Sequence, residues 1–288
     1  YRLYFYDCRY PLHPEKQELR MNVIQAIVLA IVEGLTEFLP VSSTGHMALV
    51  SALMGIEQES FTKLFIETIQ FGTILSVLVL YWKKFIDFKG FQFYIKLIIA
   101  FLPAAVFGVI FKKHIDALIG TPLFIACTLF FGGIILLFVD NWFKNPTIDD
   151  EKQATNKNAL IIGLFQVLAV VLPGLSRSAA TIIGGMQQKM TRKAAAEFSF
   201  FLAVPTLAGA FVKSLWDAFQ ETPEILTQHN ISLLVLGNVV GFIVAVIAIK
   251  AFISFLARHG FRLFGYYRIL VGITIILLIL FGVNLSVI

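Results

Sequence analysis

Charged side chains are scarce in this chain of 288 residues. Asp, Glu, Lys and Arg make up 14% of it, whereas hydrophobic residues make up 58%. Because a soluble domain carries about a quarter charged residues, the composition excludes an ordinary soluble protein and indicates one embedded in bilayer lipid. The net charge of +5 is small, and the basic residues lie between apolar tracts. This distribution indicates charge asymmetry at a membrane and no binding of nucleic acid.

Cysteine is also scarce. The two cysteines, Cys8 and Cys127, lie far apart in different sequence contexts, which excludes a disulfide framework and a cysteine metal cluster. The short alternating strands that a transmembrane barrel needs do not occur in the sequence. The remaining class is a polytopic α-helical membrane protein.

Long apolar tracts predict six spanning helices, and two further apolar regions are interrupted. One region, 22–55, breaks at 40–45, and the other, 159–186, breaks at 173–178. The piece 159–172 is too short to cross a ~30 Å hydrocarbon core. Such segments predict re-entrant hairpins, whose irregular backbone must be surrounded by protein or a watery cavity. The predicted spans are 64–82, 92–111, 121–139, 194–212, 231–256 and 266–286.

The two interrupted regions resemble each other. A shift of 133 residues aligns Leu39-Pro40 with Leu172-Pro173, Ser43 with Ser176, and Glu33 with Gln166. Each half then has one hairpin and three spans, an odd number of crossings, so the halves must be inverted. We predict an all-α polytopic membrane protein with six spanning helices plus two re-entrant helix-break-helix hairpins in an inverted-topology repeat.

The domain boundaries follow from this repeat. We expect a single membrane domain over 21–288, made of repeat one (21–144), a polar linker (145–158) that forms a cytoplasmic hinge, and repeat two (159–288). Residues 1–20 carry mixed charges and precede what looks like a natural start at Met21. We expect them to be an upstream extension or one added for expression, and not a signal peptide.

Basic residues between the spans predict the orientation. With Met21 outside, twelve of them lie in inner loops and four in outer segments, which by the positive-inside rule favours both ends of the membrane domain outside. The inner ones are Lys83, Lys84, Lys89, Lys144, Lys152, Lys157, Lys189, Arg192, Lys193, Arg258, Arg262 and Arg268, and the outer ones are Lys63, Lys112, Lys113 and Lys213.

Two carboxylates precede the first break. Glu33 and Glu37 are four residues apart, so on a helix they share one face. At membrane depth an ionised carboxylate is costly unless it is paired, solvated or bound to a metal, which indicates a cavity-facing pair that binds a cation or moves protons. A hydrated pair near the outer interface is the alternative. Two close carboxylates suit Mg²⁺ or Ca²⁺, which prefer oxygen ligands.

The residues after Pro40 predict the start of a new helix. Ser42 or Ser43 can cap it, and Gly45 lets the backbone approach a ligand closely. His46 follows Ser43 by three residues, so one helical turn brings the imidazole beside the hydroxyl, as a base and its nucleophile require. The alternative is a plain cap and a buried histidine with its own hydrogen-bond partner.

The second break supplies a fixed positive charge. Arg177 lies between Ser176 and Ser178 at a predicted helix start, with Thr181 one turn on. Backbone N–H groups, the helix dipole and a guanidinium together form a phosphate site. The alternative is an arginine that anchors at the inner interface. Because the hairpin tips of inverted repeats meet near the midplane, the two breaks predict one site for a phosphorylated lipid.

Polar residues also begin two of the spans. Glu67 and Glu197 lie beside Lys63 and Lys193, and we interpret them as helix-end carboxylates paired with these lysines. Gln70 lies one turn beyond Glu67, where it can face the cavity.

The segments EGLTEFLPVSSTGH (33–46) and PGLSRSAAT (173–181) closely resemble the two signature motifs of the undecaprenyl pyrophosphate phosphatase family, also called the bacitracin-resistance protein family. The likeness runs from about Met21 to the C-terminus. It implies a bacterial inner-membrane enzyme that removes the terminal phosphate of undecaprenyl pyrophosphate, a polyprenyl pyrophosphate lipid, and so regenerates the lipid carrier for cell-wall synthesis and confers bacitracin resistance. It also implies dependence on a divalent cation and an active site open to the periplasm.

The resemblance implies roles for individual residues as well. Ser43 is the nucleophile, His46 its acid/base partner and Arg177 the phosphate-binding residue. The sequence leaves open whether Ser43 is phosphorylated or orients a water. Patterns and resemblance together predict catalytic residues Ser43, His46, Glu33, Glu37 and Arg177, substrate-binding residues Ser42, Thr44, Gly45, Gly174, Ser176, Ser178, Thr181 and Gln70, and a metal site at Glu33 and Glu37.

Other functions compete with this one. The phosphatidic acid phosphatase group places a second His and an Asp shortly after its Ser-Arg element, and this chain has neither after Arg177, so that group is rejected. A transporter or flippase of a lipid phosphate is the main alternative, because inverted repeats with broken helices are a transporter layout. A structural scaffold would not need polar tips. A homodimer is left open.

Overall fold

The computed structural model describes residues 21–86, 91–283 and 285. The expected extension, residues 1–20, lies outside the described residues. Within them the chain is helical, with an isolated bridge between Ile148 and Met190 and no strand. The helices are α1 Val23–Thr36, α2 Ser43–Leu53, α3 Ser60–Leu80, α4 Trp82–Ile86, α5 Phe91–Ile110, α6 Lys112–Ile119, α7 Pro122–Trp142, α8 Asn156–Val171, α9 Arg177–Gln187, α10 Arg192–Glu221, α11 Gln228–His259 and α12 Arg262–Leu280.

Six of these helices, α3, α5, α7, α10, α11 and α12, are long and apolar enough to cross a membrane. They coincide with the predicted spans, so the prediction of an all-α protein with six spanning helices is confirmed. Their ends differ: α10 continues to Glu221, past the predicted end at 212, and α12 begins at Arg262 instead of 266. In their most apolar windows only 22% to 56% of the residues are buried inside the protein. The remaining apolar surface is of the kind that faces lipid.

Two helix–break–helix segments lie where the sequence predicts them. Helices α1 and α2 flank residues 37–42, and α8 and α9 flank residues 172–176. Helix α1 has 14 residues and α8 has 16, which correspond to ~21 and ~24 Å of helix. Neither therefore crosses a ~30 Å core along its axis. The re-entrant position in the bilayer and the inverted repeat stay predictions.

The second helix of each segment begins after a serine with positive φ. Ser42 has φ 71° and Ser176 has φ 78°, and each side chain accepts a hydrogen bond from the backbone N–H three residues on. A positive φ costs serine about 1 kcal/mol or more, so neighbouring contacts must maintain it. This shared geometry makes Ser42, not Ser43, the counterpart of Ser176. The predicted pairing of Ser43 with Ser176 was therefore wrong by one residue, because the second break is longer by one residue between its proline and its cap.

The two halves of the chain interlock around the breaks. Helix α1 packs on α11 and α8 packs on α5, while α3 lies against α10 and α7 against α12. Helix α8 approaches α5 so closely that a Cβ at Gly163 would lie 2.4 Å from the Ala100 carbonyl, as expected where helices associate by van der Waals contact. The largest apolar cluster joins Phe38 of the first break to Ile182 and Phe200. The first break therefore packs against α9 and α10, the helices that follow the second break.

The polar linker between the halves is docked on the protein. The backbone N–H groups of Thr147 and Ile148 both donate to the Lys189 carbonyl, and the Thr191 N–H donates to the Ile148 carbonyl. Helix α8 then begins at a capping box formed by Thr155 and Asn158. The linker predicted as a hinge is thus hydrogen-bonded to the turn between α9 and α10.

A buried ion cluster fixes the same region. Lys84 donates from Nζ to Glu151 at 2.6 Å and to Glu197 at 3.1 Å, and Glu151 is only 1% exposed. Burial by itself lowers the pKa of Lys84, but its hydrogen bonds to Glu151 and Glu197 outweigh burial and raise the pKa overall. The expected pairing of Glu197 with Lys193 is therefore wrong, because α4 brings Lys84 to this carboxylate instead.

Candidate active site

A chain of three polar side chains connects the two breaks. Glu37 caps the end of α1, and Ser43 is the first residue of α2. The Ser43 hydroxyl donates to Glu37 Oε2 at 2.6 Å, and Arg177 Nη2 donates to Glu37 Oε1 at 3.0 Å. Glu37 is 7% exposed, so these charge-assisted bonds form away from bulk water and are stronger for it. A hydroxyl, a carboxylate and a guanidinium from opposite breaks thus meet at one place.

Arg177 is held from the second break and retains an unused donor. It is the first residue of α9, and its Nη1 donates to the Ser199 carbonyl of α10 at 3.2 Å. Thr181, one turn later, lies 2.6 Å from the Ser199 hydroxyl and donates to the Arg177 carbonyl. Within the described residues Arg177 Nε has no hydrogen-bond partner. A buried donor of this kind at a helix N-terminus is available to an anion.

Two serines of the second break are occupied in tying the breaks together. The Ser178 hydroxyl donates to the Leu39 carbonyl of the first break at 2.7 Å, and Ser176 Oγ lies 3.0 Å from Ser178 Oγ. Ser176 Oγ also accepts from the Ala179 N–H as the cap of α9. Both hydroxyls therefore already have protein partners, and their contact with phosphate stays a prediction.

His46 does not pair with Ser43 in this structure. Its Nδ1 lies 2.7 Å from the Ser42 carbonyl, and since a carbonyl only accepts, Nδ1 is the donor. Nε2 of the neutral ring then accepts from the Tyr267 hydroxyl at 2.7 Å. The expected Ser43–His46 contact is wrong, because the helical turn directs the imidazole back to the positive-φ cap. His46 supports Ser42, and Glu37 is the carboxylate in contact with Ser43.

Glu33 has the chemistry of a cation ligand. It is fully buried, and neither carboxylate oxygen has a hydrogen-bond partner among the described residues. An unpaired buried carboxylate is costly, and a divalent cation one helical turn from Glu37 would remove that cost. Within the described part of the chain no group of three or more His, Cys, Asp or Glu side chains surrounds a common point. Two carboxylates, with substrate phosphates and water completing the shell, match the usual ligand set of Mg²⁺.

The remaining predicted binding residues are Thr44, Gly45, Gly174 and Gln70. Thr44 is exposed at the first turn of α2, whereas Gly45 packs against α7, where an added Cβ would lie 2.6 Å from Leu129 Cδ1 and would force that side chain to shift. Gly174 has φ 92°, and a Cβ would lie 2.2 Å from Thr128 Oγ1, so the turn itself requires glycine. The Gln70 side chain is not hydrogen-bonded to the site in the described part of α3.

The family described as bacitracin resistance protein BacA matches residues 26–274. The chain belongs to this family. A relative named undecaprenyl-diphosphatase from Flavobacterium psychrophilum is 55% identical over 258 residues, which cover 90% of this chain and 96% of the relative. Relatives of the same name from Flavobacterium johnsoniae and Aquifex aeolicus are 54% and 42% identical, covering 93% and 88% of this chain and 100% and 97% of their own lengths.

Two neighbouring residues of α12 complete the site of this BacA family member, and the sequence reasoning did not assign them to it. The Tyr267 hydroxyl donates to His46 Nε2. Arg268 was predicted to lie in an inner loop, and that is wrong: it is fully buried against both breaks. The available signal was an arginine at the start of an apolar tract, which is functional by default when it lies inside the membrane.

Proposed function

We propose that this chain hydrolyses the terminal phosphoanhydride bond of undecaprenyl pyrophosphate, releasing inorganic phosphate and the monophosphate lipid carrier. The observation that carries the proposal is the contact chain Ser43–Glu37–Arg177, which joins a nucleophile, a base and a phosphate-binding group. The names of the BacA relatives support the substrate. The lipid tail has apolar helix surface to lie against, since large hydrophobic side chains of α5, α7 and α12 are exposed.

Binding of the diphosphate prepares the base. The terminal phosphate competes with Glu37 for Arg177, whose free Nε and two terminal nitrogens form a fork suited to phosphate. Release from Arg177 leaves the Glu37 carboxylate to accept the Ser43 proton. The helix N-termini of α2 and α9 stabilise the developing negative charge on the phosphoryl oxygens.

The reaction then proceeds in two displacements. Ser43 Oγ forms a bond to the terminal phosphorus while the bond to the bridging oxygen breaks, and the lipid monophosphate leaves with the bridging oxygen. Glu37 passes the proton that it took from Ser43 to the departing monophosphate and is again a carboxylate. Water next attacks the phosphoserine and gives a proton to Glu37 while the bond between phosphorus and Ser43 Oγ breaks. Glu37 returns this proton to Ser43 Oγ, and inorganic phosphate leaves. In the alternative mechanism, Ser43 orients a water that attacks the phosphorus directly. Labelling of Ser43 in a rapid-quench experiment distinguishes the two mechanisms.

The first test of this proposal is Glu37→Gln, which keeps the shape of the side chain and removes its charge. We expect kcat for phosphate release from undecaprenyl pyrophosphate by the protein in detergent to fall about 10²-fold, because the base for Ser43 is lost. The matched control is Glu67→Gln in α3, a half-buried carboxylate outside the contact chain. Equal turnover of wild type and Glu37→Gln would remove Glu37 from the mechanism. Phosphate release without a membrane gradient also separates hydrolysis from transport.

We further propose that Glu33 and Glu37 hold a divalent cation, Mg²⁺ or Ca²⁺. When bound, the cation offsets negative charge on the phosphates. We expect chelation to reduce activity and Mg²⁺ to raise the melting temperature of the wild type. In Glu33→Gln, Mg²⁺ should raise the melting temperature far less than in the wild type, because the amide cannot replace the carboxylate as a cation ligand. An undiminished Mg²⁺ shift in Glu33→Gln would contradict the assignment, and Glu67→Gln is the control.

For location, we propose a multi-pass protein of the bacterial inner membrane whose site opens to the periplasmic side. The support is the distribution of basic residues. Without Arg268, the sequence still assigns eleven basic residues to predicted inner segments and four to predicted outer segments, and the positive-inside rule favours the same orientation. A homodimer stays a prediction.

A further inference from the structure

We propose that Arg268 is a positioning residue that fixes the two breaks at the separation the reaction needs. Its side chain is fully buried, and all five of its N–H groups donate to backbone carbonyls. Nη1 bonds the carbonyls of Pro40 (3.3 Å) and Leu175 (2.8 Å), Nη2 those of Gly174 (3.1 Å) and Thr128 (3.2 Å), and Nε that of Leu129 (3.4 Å). One planar guanidinium therefore bridges the first break, the second break and α7.

The breaks supply acceptors that need such a donor. Pro40, Gly174 and Leu175 lie where helical hydrogen bonding stops, so their carbonyls lack the partners that a continuous helix would provide. A buried carbonyl without a hydrogen-bond partner is costly, and the rigid fork of arginine can serve several carbonyls at once. A lysine ammonium has three donors and no fork, so it cannot reproduce this set of bonds.

The neighbouring helix is shaped to admit the guanidinium. Gly132 of α7 faces it, and a Cβ at this position would lie 2.3 Å from Arg268 Nη2 and 2.9 Å from Cζ. Both distances are far below van der Waals contact, and the guanidinium is held by five hydrogen bonds. Alanine at 132 would therefore displace the fork while leaving the arginine itself in the chain.

Arg268 differs from Arg177 in that all of its N–H donors are already hydrogen-bonded. Arg177 retains a free Nε for an anion, whereas Arg268 has no N–H left for phosphate and acts through the backbone. Ser43 begins the helix that follows Pro40, and Arg177 begins the helix that follows Leu175. Arg268 therefore sets how far the nucleophile lies from the phosphate-binding group. A misplacement of about 1 Å can cost 10²-fold in rate, so the effect falls on kcat more than on KM.

The test compares Arg268→Lys and Gly132→Ala with the wild type in phosphate release and in amide hydrogen exchange. Both variants should lower kcat about 10- to 100-fold and change KM by less than about threefold. Amides of 37–43 and 172–178 should exchange faster in both, with the remaining helices unchanged. The double variant should be no worse than about threefold below the poorer single variant, because both changes remove one contact. Controls are Arg262→Lys, an exposed arginine, and Gly108→Ala, whose Cβ would meet only Val170 at 3.7 Å.

Three results would overturn the proposal. They are wild-type kcat in both variants, faster exchange spread evenly over all helices, and a KM increase that accounts for the whole loss. If Arg268→Lys does not fold, Gly132→Ala alone carries the same expectations and the same contradictions. The kinetic part rests on the proposed phosphatase function. If the wild type releases no phosphate, that function fails, and the exchange pattern of the two breaks by itself supports or overturns the bridge.

Discussion

Ser43→Ala is expected to lower kcat for phosphate release by about 10³-fold or more. The Ser43 hydroxyl donates to Glu37 Oε2 at 2.6 Å, and Ser43 is the first residue of α2. Removing it takes away the attacking oxygen and leaves Glu37 without the proton it is placed to receive. The measurement is steady-state phosphate release from undecaprenyl pyrophosphate by wild type and variant in the same detergent.

A rapid-quench experiment with label in the terminal phosphate adds the chemical identity of the step. A covalent mechanism predicts acid-stable label on Ser43 in the wild type and none in Ser43→Ala. The matched control is Ser232→Ala, which removes an exposed hydroxyl bonded to the Gln228 carbonyl of its own helix and should keep wild-type turnover. An inactive Ser43→Ala with an unlabelled wild type would favour a Ser43-oriented water. High activity in Ser43→Ala would exclude both roles.

Arg177→Ala is expected to reduce kcat/KM by about 10³-fold, at the upper end of what one preorganised charged donor contributes to a transition state. Arg177→Lys keeps the charge but loses the fork, so we expect an intermediate loss of about 10- to 100-fold. Among the described residues, only Arg177 both pairs with Glu37 and has a buried Nε without a hydrogen-bond partner. Its removal therefore takes away the donor available to the phosphate. The measurement is kcat/KM over a range of substrate concentrations.

Arg192→Ala is the control for the Arg177 series. Arg192 also pairs with a carboxylate, Asp140, at 2.8 Å, but it lies at the start of α10 away from both breaks. It should keep turnover near that of the wild type. If Arg177→Ala and Arg192→Ala behave alike, Arg177 does not bind the phosphate.

The spans were predictable because length and hydropathy are local properties of the sequence. The break positions were predictable from the clusters of proline, glycine and serine at 40–45 and 173–178. A single proline does not suffice, since Pro103 and Pro205 lie inside α5 and α10. The end of α10 was not predictable, because residues 213–221 mix charged, polar and apolar side chains and continue the helix beyond the apolar tract. The repeat register was off by one, because the positive φ at Ser42 and Ser176 is not visible in the residue types.

The candidate site was predictable as a list of residues but not as a set of contacts. The motifs indicated Glu37, Ser43 and Arg177, and the structure brings these three together. The partner of His46 was assigned wrongly, because sequence spacing shows what a helical turn can reach and not which way the ring points. Arg268 stands out in the sequence as an arginine at the start of an apolar tract, but its partners do not, because they are backbone carbonyls.

The most direct test of a single site built from both breaks is the coupling between Glu37→Gln and Arg177→Lys in phosphate release. Each change alone should leave measurable turnover, about 10²-fold and 10- to 100-fold below wild type. Because both side chains belong to one contact chain, the double variant should fall within about threefold of the poorer single variant. Losses that multiply to about 10³-fold or more would mean that the two breaks act independently, and would contradict the shared site.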